Sequence, residues 1–295
     1  MSDEVFLAQQ FEANRPHLRA VAFRILGNTQ DVDDALQDAW LRIAASKADE
    51  IENVTGWLTT VVARTCLNAL RTRQRRPTEA IGDPSATIER LVDRTAVTPE
   101  DQAVLADSMG LALLVVLEML SPAERICFVL HDMFSVSFDE ISEVLGKSAD
   151  ACRQLASRAR RRVRTADDPT ADPKRQREVV EAFLVASRSG DFQALLSLLS
   201  PDVELVADAA AVALGAPERK DGPFDVATRF SGGAQSARTA LLDGLAGLVW
   251  AQGGTPKVVF EFTVSAGRVT RIDMIGDEEV LDEMTIEYVR RDKRP

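Results

Sequence analysis

The sequence predicts a multidomain chain: two all-α domains, the second carrying a helix-turn-helix, then an α+β domain with a curved sheet. Three observations predict this. Apolar residues recur at helical spacing from residue 6 to residue 165. Within residues 120–164, LSPAERICFVLHDMFSVSFDEISEVLGKSADACRQLASRARRRVR, two helical stretches are separated by Gly146. Beyond residue 174 the period changes, and Val258, Phe260, Phe262 and Val264 alternate as one face of a strand. The boundaries read as domains at 1–76, 100–165 and 174–295, joined by linkers at 77–99 and 166–173.

The first domain begins with a helix over residues 6–26, whose core positions are Phe11, Leu18, Val21, Ala22 and Ile25. Gly27-Asn28-Thr29 breaks it, and Thr29 or Asp31 can cap the next helix, DVDDALQDAWLRIAA. Val32, Leu36, Ala39, Trp40 and Ile43 form its apolar stripe, with Asp31, Asp34 and Asp38 clustered opposite. That cluster suits either a solvated face aided by the helix dipole or a docking face for a basic partner. A third helix over residues 54–73 buries Trp57, Leu58, Val61, Val62, Cys66, Leu67 and Leu70, and Pro77 stops it. Arg71, Arg73, Arg75 and Arg76 at its end can neutralise phosphates, and Arg64 and Asn68 can reach nucleotides. Trp57 suits either the core or a base stack.

Residues 77–99, with three prolines and Gly-Asp-Pro, read as a linker. Helices resume near Glu100, with Leu105, Met109, Leu113, Val116, Leu117 and Leu120 apolar, and Ser121-Pro122 ends one helix and starts another. Phe138, Ile141, Val144 and Leu145 pack the first helix of the helix-turn-helix. Ser148 or Asp150 caps the second. Cys152, Leu155, Ala156, Ala159 and Val163 share one side of that helix, and Arg153, Arg160, Arg161 and Arg164 project from the other. One side packs while the other faces a polyanion. The third domain opens with helices RQREVVEAFLVASRSGD and FQALLSLLSPD, then a strand VELVADA. A loop rich in Gly, Pro and Ala follows. Residues 234–250 read as helical at first and as a strand at the end. A hairpin then turns at Ala266-Gly267 and returns as RVTRIDMIG.

At 45% hydrophobic, the chain has enough apolar residues for real cores, and no run is as long as a membrane span. The polar N-terminus MSDEVFLAQQFEANRP has no signal-peptide hydrophobic region, which places the chain in the cytoplasm. Cys66, Cys127 and Cys152 are far apart and imply neither zinc nor a disulfide. Net charge is −11, which excludes indiscriminate DNA binding. The arginines nevertheless gather in two tracts, so DNA binding depends on presentation by a partner.

These blocks, in this order, resemble an extracytoplasmic-function sigma factor. GNTQDVDDALQDAWLRI resembles the helix that docks on the β′ clamp helices of bacterial core RNA polymerase. GWLTTVVARTCLNALRTRQRR resembles the helix that melts and reads the promoter −10 element, and the stretch from Leu120 to Arg164 resembles the −35-binding domain, the part that meets the polymerase β flap. FLVASRSGDFQALLSLLSPDVELVAD is similar to the opening of SnoaL-like domains of the NTF2-like fold, which mark the SigJ group of these factors. The chain departs from that group's motifs at residues 78–87 (TEAIGDPSAT), 208–212 (DAAAV) and 276–280 (GDEEV).

The resemblance implies a set of roles. Asp31, Asp34 and Asp38 would bind polymerase. Asn53, Trp57, Arg64, Asn68, Arg71 and Arg73 would hold the −10 strand. Ser148, Arg153, Gln154, Ser157, Arg160, Arg161 and Arg164 would meet the −35 element. Of these, Arg153 and Gln154 suit base edges, and Arg160, Arg161 and Arg164 suit phosphates. Asp208 is the expected regulatory residue of the tail, which would act in cis in place of a separate anti-sigma factor and have room for a small ligand. No cofactor, metal or membrane partner is expected. Two rivals remain: a polymerase-independent helix-turn-helix regulator with a ligand-binding tail, and a SnoaL-like enzyme. His17 and His131 both lie outside the tail, leaving Asp202 and Asp208 as its possible bases.

Overall fold

The computed structural model describes residues 3–46, 51, 53–75, 111–166 and 172–289. The linker at 77–99, the helix start near Glu100 and most of the second linker lie outside the described residues. Two compact units divide the chain, Met1–Val163 and Arg164–Pro295.

In the first unit α1 (Asp3–Leu26), α2 (Thr29–Ala44) and α3 (Val54–Arg75) pack against one another. Their apolar stripes meet as the spacing predicts: Leu18, Val21, Val32, Ile43, Leu58, Val62 and Cys66 are fully buried. The cap of α2 is Asn28 and neither Thr29 nor Asp31. Asn28 accepts from Asp31 N at 2.8 Å, and its amide donates back to the Asp31 carboxylate at 2.7 Å. The pair therefore closes both ends of one cap.

The helices α4 (Leu111–Glu118), α5 (Pro122–Phe128), α6 (Phe138–Leu145) and α7 (Ala149–Ala166) follow. Ser121 and Glu124 form a full capping box at α5, and Ser137 and Glu140 form another at α6. A π-helical turn, Val129–Met133, continues α5. α6 ends on Gly146 at φ 67, a left-handed conformation that glycine adopts without steric cost. Ser148 then caps α7 by accepting from Ala151 N at 3.1 Å. Cys66, Cys127 and Cys152 are buried and unbridged.

The second unit is α+β. Its sheet has the order β2-β1-β6-β5-β4-β3-β7, built from Arg219–Asp221, Leu199–Ala207, Arg268–Ile275, Thr255–Ser265, Leu245–Gln252, Arg238–Leu242 and Ile286–Tyr288 respectively. β1 and β6 run parallel and the other pairs antiparallel. Register shifts in β1, in β4 and between Thr263 and Val264 bend the sheet. α8 (Pro173–Ser189) lies on β4 and β5, where Gln176 donates to the Phe262 carbonyl at 3.1 Å. Val258 and Phe262 are core, and Phe260 and Val264 pack against it, as their alternation predicts.

Two expectations for this unit fail. Residues 234–250 hold no helix: β3 and β4 form a hairpin around Asp243 and Gly244, at φ 49 and 87. Asp-Gly favours a type I′ turn, and this local signal prevails over the apparent helical period. The stretch read as a loop instead holds α10 (Ala209–Ala213), β2 and α11 (Pro223–Phe230), with α9 (Phe192–Leu198) before them and α12 (Glu278–Leu281) after. Elements this short carry too few residues for a period to show.

Candidate nucleic-acid interface

Helical spacing arranges α2 into a buried stripe and an exposed one. Asp34, Gln37, Asp38 and Leu41 stand at i, i+3, i+4 and i+7 on the exposed side. Among the described residues neither Asp34 nor Asp38 forms an ion pair, whereas Asp33 pairs with Arg19. Asp31 is half-buried and engaged in the Asn28 cap. Leu41 is 64% exposed, an apolar residue beside an acidic pair that the apolar count missed. Its position seven residues after Asp34 was the available signal.

The start of α3 is set by Asn53, whose side chain accepts from Gly56 N at 3.0 Å. A Cβ at Gly56 would lie 2.5 Å from the Asn53 amide nitrogen, so glycine lets the cap close. Trp57 is half-buried, between its two expected roles. Arg64 and Asn68 are exposed one turn apart, and Arg71 is half-buried. Arg73 lies 3.8 Å from Glu118.

Arg64 also reaches the second helical block. Its Nη2 donates to the Glu143 carbonyl on α6 at 2.6 Å. Arg125 of α5 donates to the Ile25 carbonyl of α1 at 3.1 Å, and burial lowers its pKa to about 10. His17 of α1 meets the Phe134 ring edge-on at 5.4 Å, with the Arg24 guanidinium over the same ring. The block holding the −10 candidates is thus packed on the one holding the helix-turn-helix.

On α7 the basic residues divide into two sets. Arg153, Ser157, Arg160 and Arg164 follow i, i+4, i+7 and i+11 and form one stripe. Arg153 is exposed, pairs with Asp150 and lies over the Phe138 ring at 5.7 Å. Arg160 donates to Asp132 at 2.7 Å, and Arg161 donates to the Ser157 hydroxyl at 2.9 Å. Gln154 is half-buried and Arg164 exposed.

Arg158 belongs to neither stripe. It is 1% exposed and pairs with the buried Glu124 at 3.1 Å. Arg162 reaches the other Glu124 oxygen at 3.0 Å, and that oxygen also accepts from Ser121 N at 2.9 Å. One carboxylate therefore closes the α5 cap and anchors α7. Two signals for this were in the sequence: the S-x-x-E capping box, and the place of Arg158 three residues after Leu155 on the packed side.

In the tail, Asp208 accepts from Ala211 N at 2.7 Å, Gly276 N at 2.9 Å and Asp277 N at 3.0 Å. It caps α10 and ties the end of β1 to the end of β6. A charge ladder crosses the neighbouring strands: Arg271 contacts Glu204 and Asp273, and Arg219 contacts Glu204 and Asp221. Asp202 is exposed on β1. Among the described residues no group of histidines, cysteines and carboxylates could hold a metal ion, and no helix is long and apolar enough to cross a membrane.

Comparison with known proteins bears on both helical blocks. Residues 10–76 match the Sigma-70 region 2 family and residues 110–163 match Sigma-70 region 4. The probable ECF RNA polymerase sigma factor SigI of Mycobacterium tuberculosis is 31% identical over 97% of this chain and 99% of its own. The ECF RNA polymerase sigma factor SigJ of the same organism is 42% identical over 68% of this chain and 64% of its own. A crystal structure of M. tuberculosis SigJ is 33% identical over 94% of this chain and 98% of that chain, with a TM-score of 0.39. Regions 2 and 4 occur here in that order, and likeness to SigI runs through nearly the whole of both chains, so the protein belongs to the extracytoplasmic-function RNA polymerase sigma factors.

Proposed function

We propose that this sigma factor exists free in a closed form in which its two promoter-reading blocks occupy each other, and that core RNA polymerase opens it. The factor binds core polymerase and directs promoter recognition and transcription initiation. The observation that carries the closed form is the Arg64–Glu143 hydrogen bond at 2.6 Å. Elements named −10 and −35 lie about 25 base pairs apart, roughly 85 Å along the duplex at 3.4 Å per pair. A −10 residue bonded to the backbone of the helix-turn-helix cannot serve both elements at once.

The roles divide by surface. The exposed stripe of Asp34, Asp38 and Leu41 meets the polymerase β′ clamp helices, with the two carboxylates steering and the leucine supplying apolar contact. Asp31 orients that helix through its cap. Region 4 meets the β flap. Asn53, Trp57, Arg64, Asn68, Arg71 and Arg73 hold the melted −10 strand. Extruding a base costs a few kcal/mol, and stacking and phosphate contacts offset it. Arg153 and Gln154 read base edges at −35, with Ser148, Ser157, Arg160, Arg161 and Arg164 along the phosphates. The acidic net charge of −11 keeps the closed form off DNA.

The tail modulates this opening in cis. Catalysis there is disfavoured: the Asp208 carboxylate already accepts three backbone N–H groups, and Asp202 is an exposed strand residue. The test is a promoter-DNA mobility shift with the factor alone and with core polymerase. The expected result is a specific shift only with core. Tight, specific binding without core would favour a polymerase-independent regulator and overturn the proposal.

A further inference from the structure

The tail holds a half-open cavity of about 230 Å³, bounded by α10, α11, residues 234–237 and the inner faces of β4, β5 and β6. A cavity of about 150 Å³ lined by apolar side chains holds benzene, so this volume takes one ring with substituents or two fused rings. Its walls favour a flat apolar guest. Phe230, Phe260 and Trp250 supply aromatic surface, and Val258 and Met274 supply aliphatic surface. Phe230 and Phe260 meet at 6.0 Å in a tilted edge contact, so that part of the wall is held in place from within.

The polar groups around the cavity are what give the guest a charge. Arg229 lines it and, among the described residues, has no ion-pair partner. That is notable in a chain with 46 acidic residues against 35 basic ones. Ser236 and Trp250 also line it, and neither the Ser236 hydroxyl nor the Trp250 indole N–H is hydrogen-bonded among the described residues. Gln235, by contrast, spends its amide N–H groups on the Arg188 and Gly232 carbonyls. Among the described residues no carboxylate and no imidazole lines the cavity. Its unspent capacity is therefore one fixed cation and two hydrogen-bond donors, an arrangement that suits an acceptor with a negative charge.

We propose that this cavity is a binding site for a small aromatic carboxylate, with the ring among Phe230, Trp250, Phe260 and Met274 and the carboxylate on Arg229. The site binds and does not transform its guest, because none of its described lining residues could move a proton at neutral pH. Binding is a property of the tail alone and does not depend on the closed form proposed above.

The test is calorimetric titration of the full chain with 1-naphthoate and, separately, with the neutral 1-naphthalenemethanol. The expected result is saturable one-to-one binding of the naphthoate. The alcohol should bind at least about tenfold more weakly, which is the value of one charge-assisted hydrogen bond. Arg229→Gln, an exposed position, should remove that preference, and Leu214→Trp, at an exposed wall residue, should block binding of both. The proposal is overturned if naphthoate shows no saturation up to about 1 mM. It is also overturned if the alcohol binds as tightly, if Arg229→Gln leaves the affinity unchanged, or if Leu214→Trp still binds. No polymerase is present in these titrations, so their failure is distinct from failure of the mobility-shift test.

Discussion

Arg153 and Arg164 lie on the same stripe of α7, yet their surroundings differ, and so do the roles proposed for them. Arg153 is held between Asp150 and the Phe138 ring, near the start of the helix proposed to enter the major groove. Arg164 is exposed three turns on. Arg153→Ala should cost about 1–3 kcal/mol at one −35 base pair and relax specificity there. Arg164→Ala should instead weaken binding evenly across sequences and lower the salt slope by about one. Affinity of the core-bound factor for promoter variants at several salt concentrations distinguishes them, and equal effects of the two changes would refute the division. Such distinctions were only partly legible beforehand. A run such as RARRRVR shows that arginines are concentrated, whereas burial decides that Arg158 and Arg162 serve Glu124.

At the level of elements, α7 is held by a buried charge cluster as well as by its apolar stripe. Glu124→Ala would leave Arg158 buried without its carboxylate, at a cost of about 3–5 kcal/mol. The urea midpoint of the first unit should fall accordingly, and −35 binding should be lost with it. A change within 0.5 kcal/mol or so would show the cluster to be dispensable.

The packing of α1 on the segment around Phe134 has a pH signature. Burial lowers the pKa of His17 below 6.5, so the packed state favours the neutral ring. The group faces the Thr59 hydroxyl at 3.2 Å and the Phe134 ring, which also carries the Arg24 guanidinium. The unfolded chain therefore takes up a proton at higher pH than the folded one. The contribution to stability is complete above 6.5 and is lost as pH falls through the lowered value. Unfolding free energies at about pH 8 and about pH 5 should differ less in His17→Gln than in the natural chain.

For the molecule as a whole, the expected consequence is control of promoter reading by the tail. Deleting residues 169–295 should change runoff transcription from a cognate promoter. Unchanged transcription together with unchanged promoter binding would show that the tail has no part in it. The proposed closed form and a cavity with no acid–base residue among its described lining are consistent at this scale: each concerns binding equilibria, and neither requires covalent chemistry.

The sequence by itself determined the order of the blocks, the helical stripes of α1 to α3, the turn at Gly146, the basic face of α7 and the hairpin at Ala266-Gly267. Each of these is written in a local period or a turn residue. Only the tertiary structure decided which polar residues are spent internally. Asn28 and Asp31 close one cap, Asp208 staples two strand ends, and Glu124 takes up two arginines. It also decided that Arg64 meets Glu143 across 79 residues of sequence and that Arg229 and Trp250 line one cavity. The physical reason is range. Periodicity and turn chemistry act over a few residues, whereas burial and charge pairing depend on which distant segments the fold brings together.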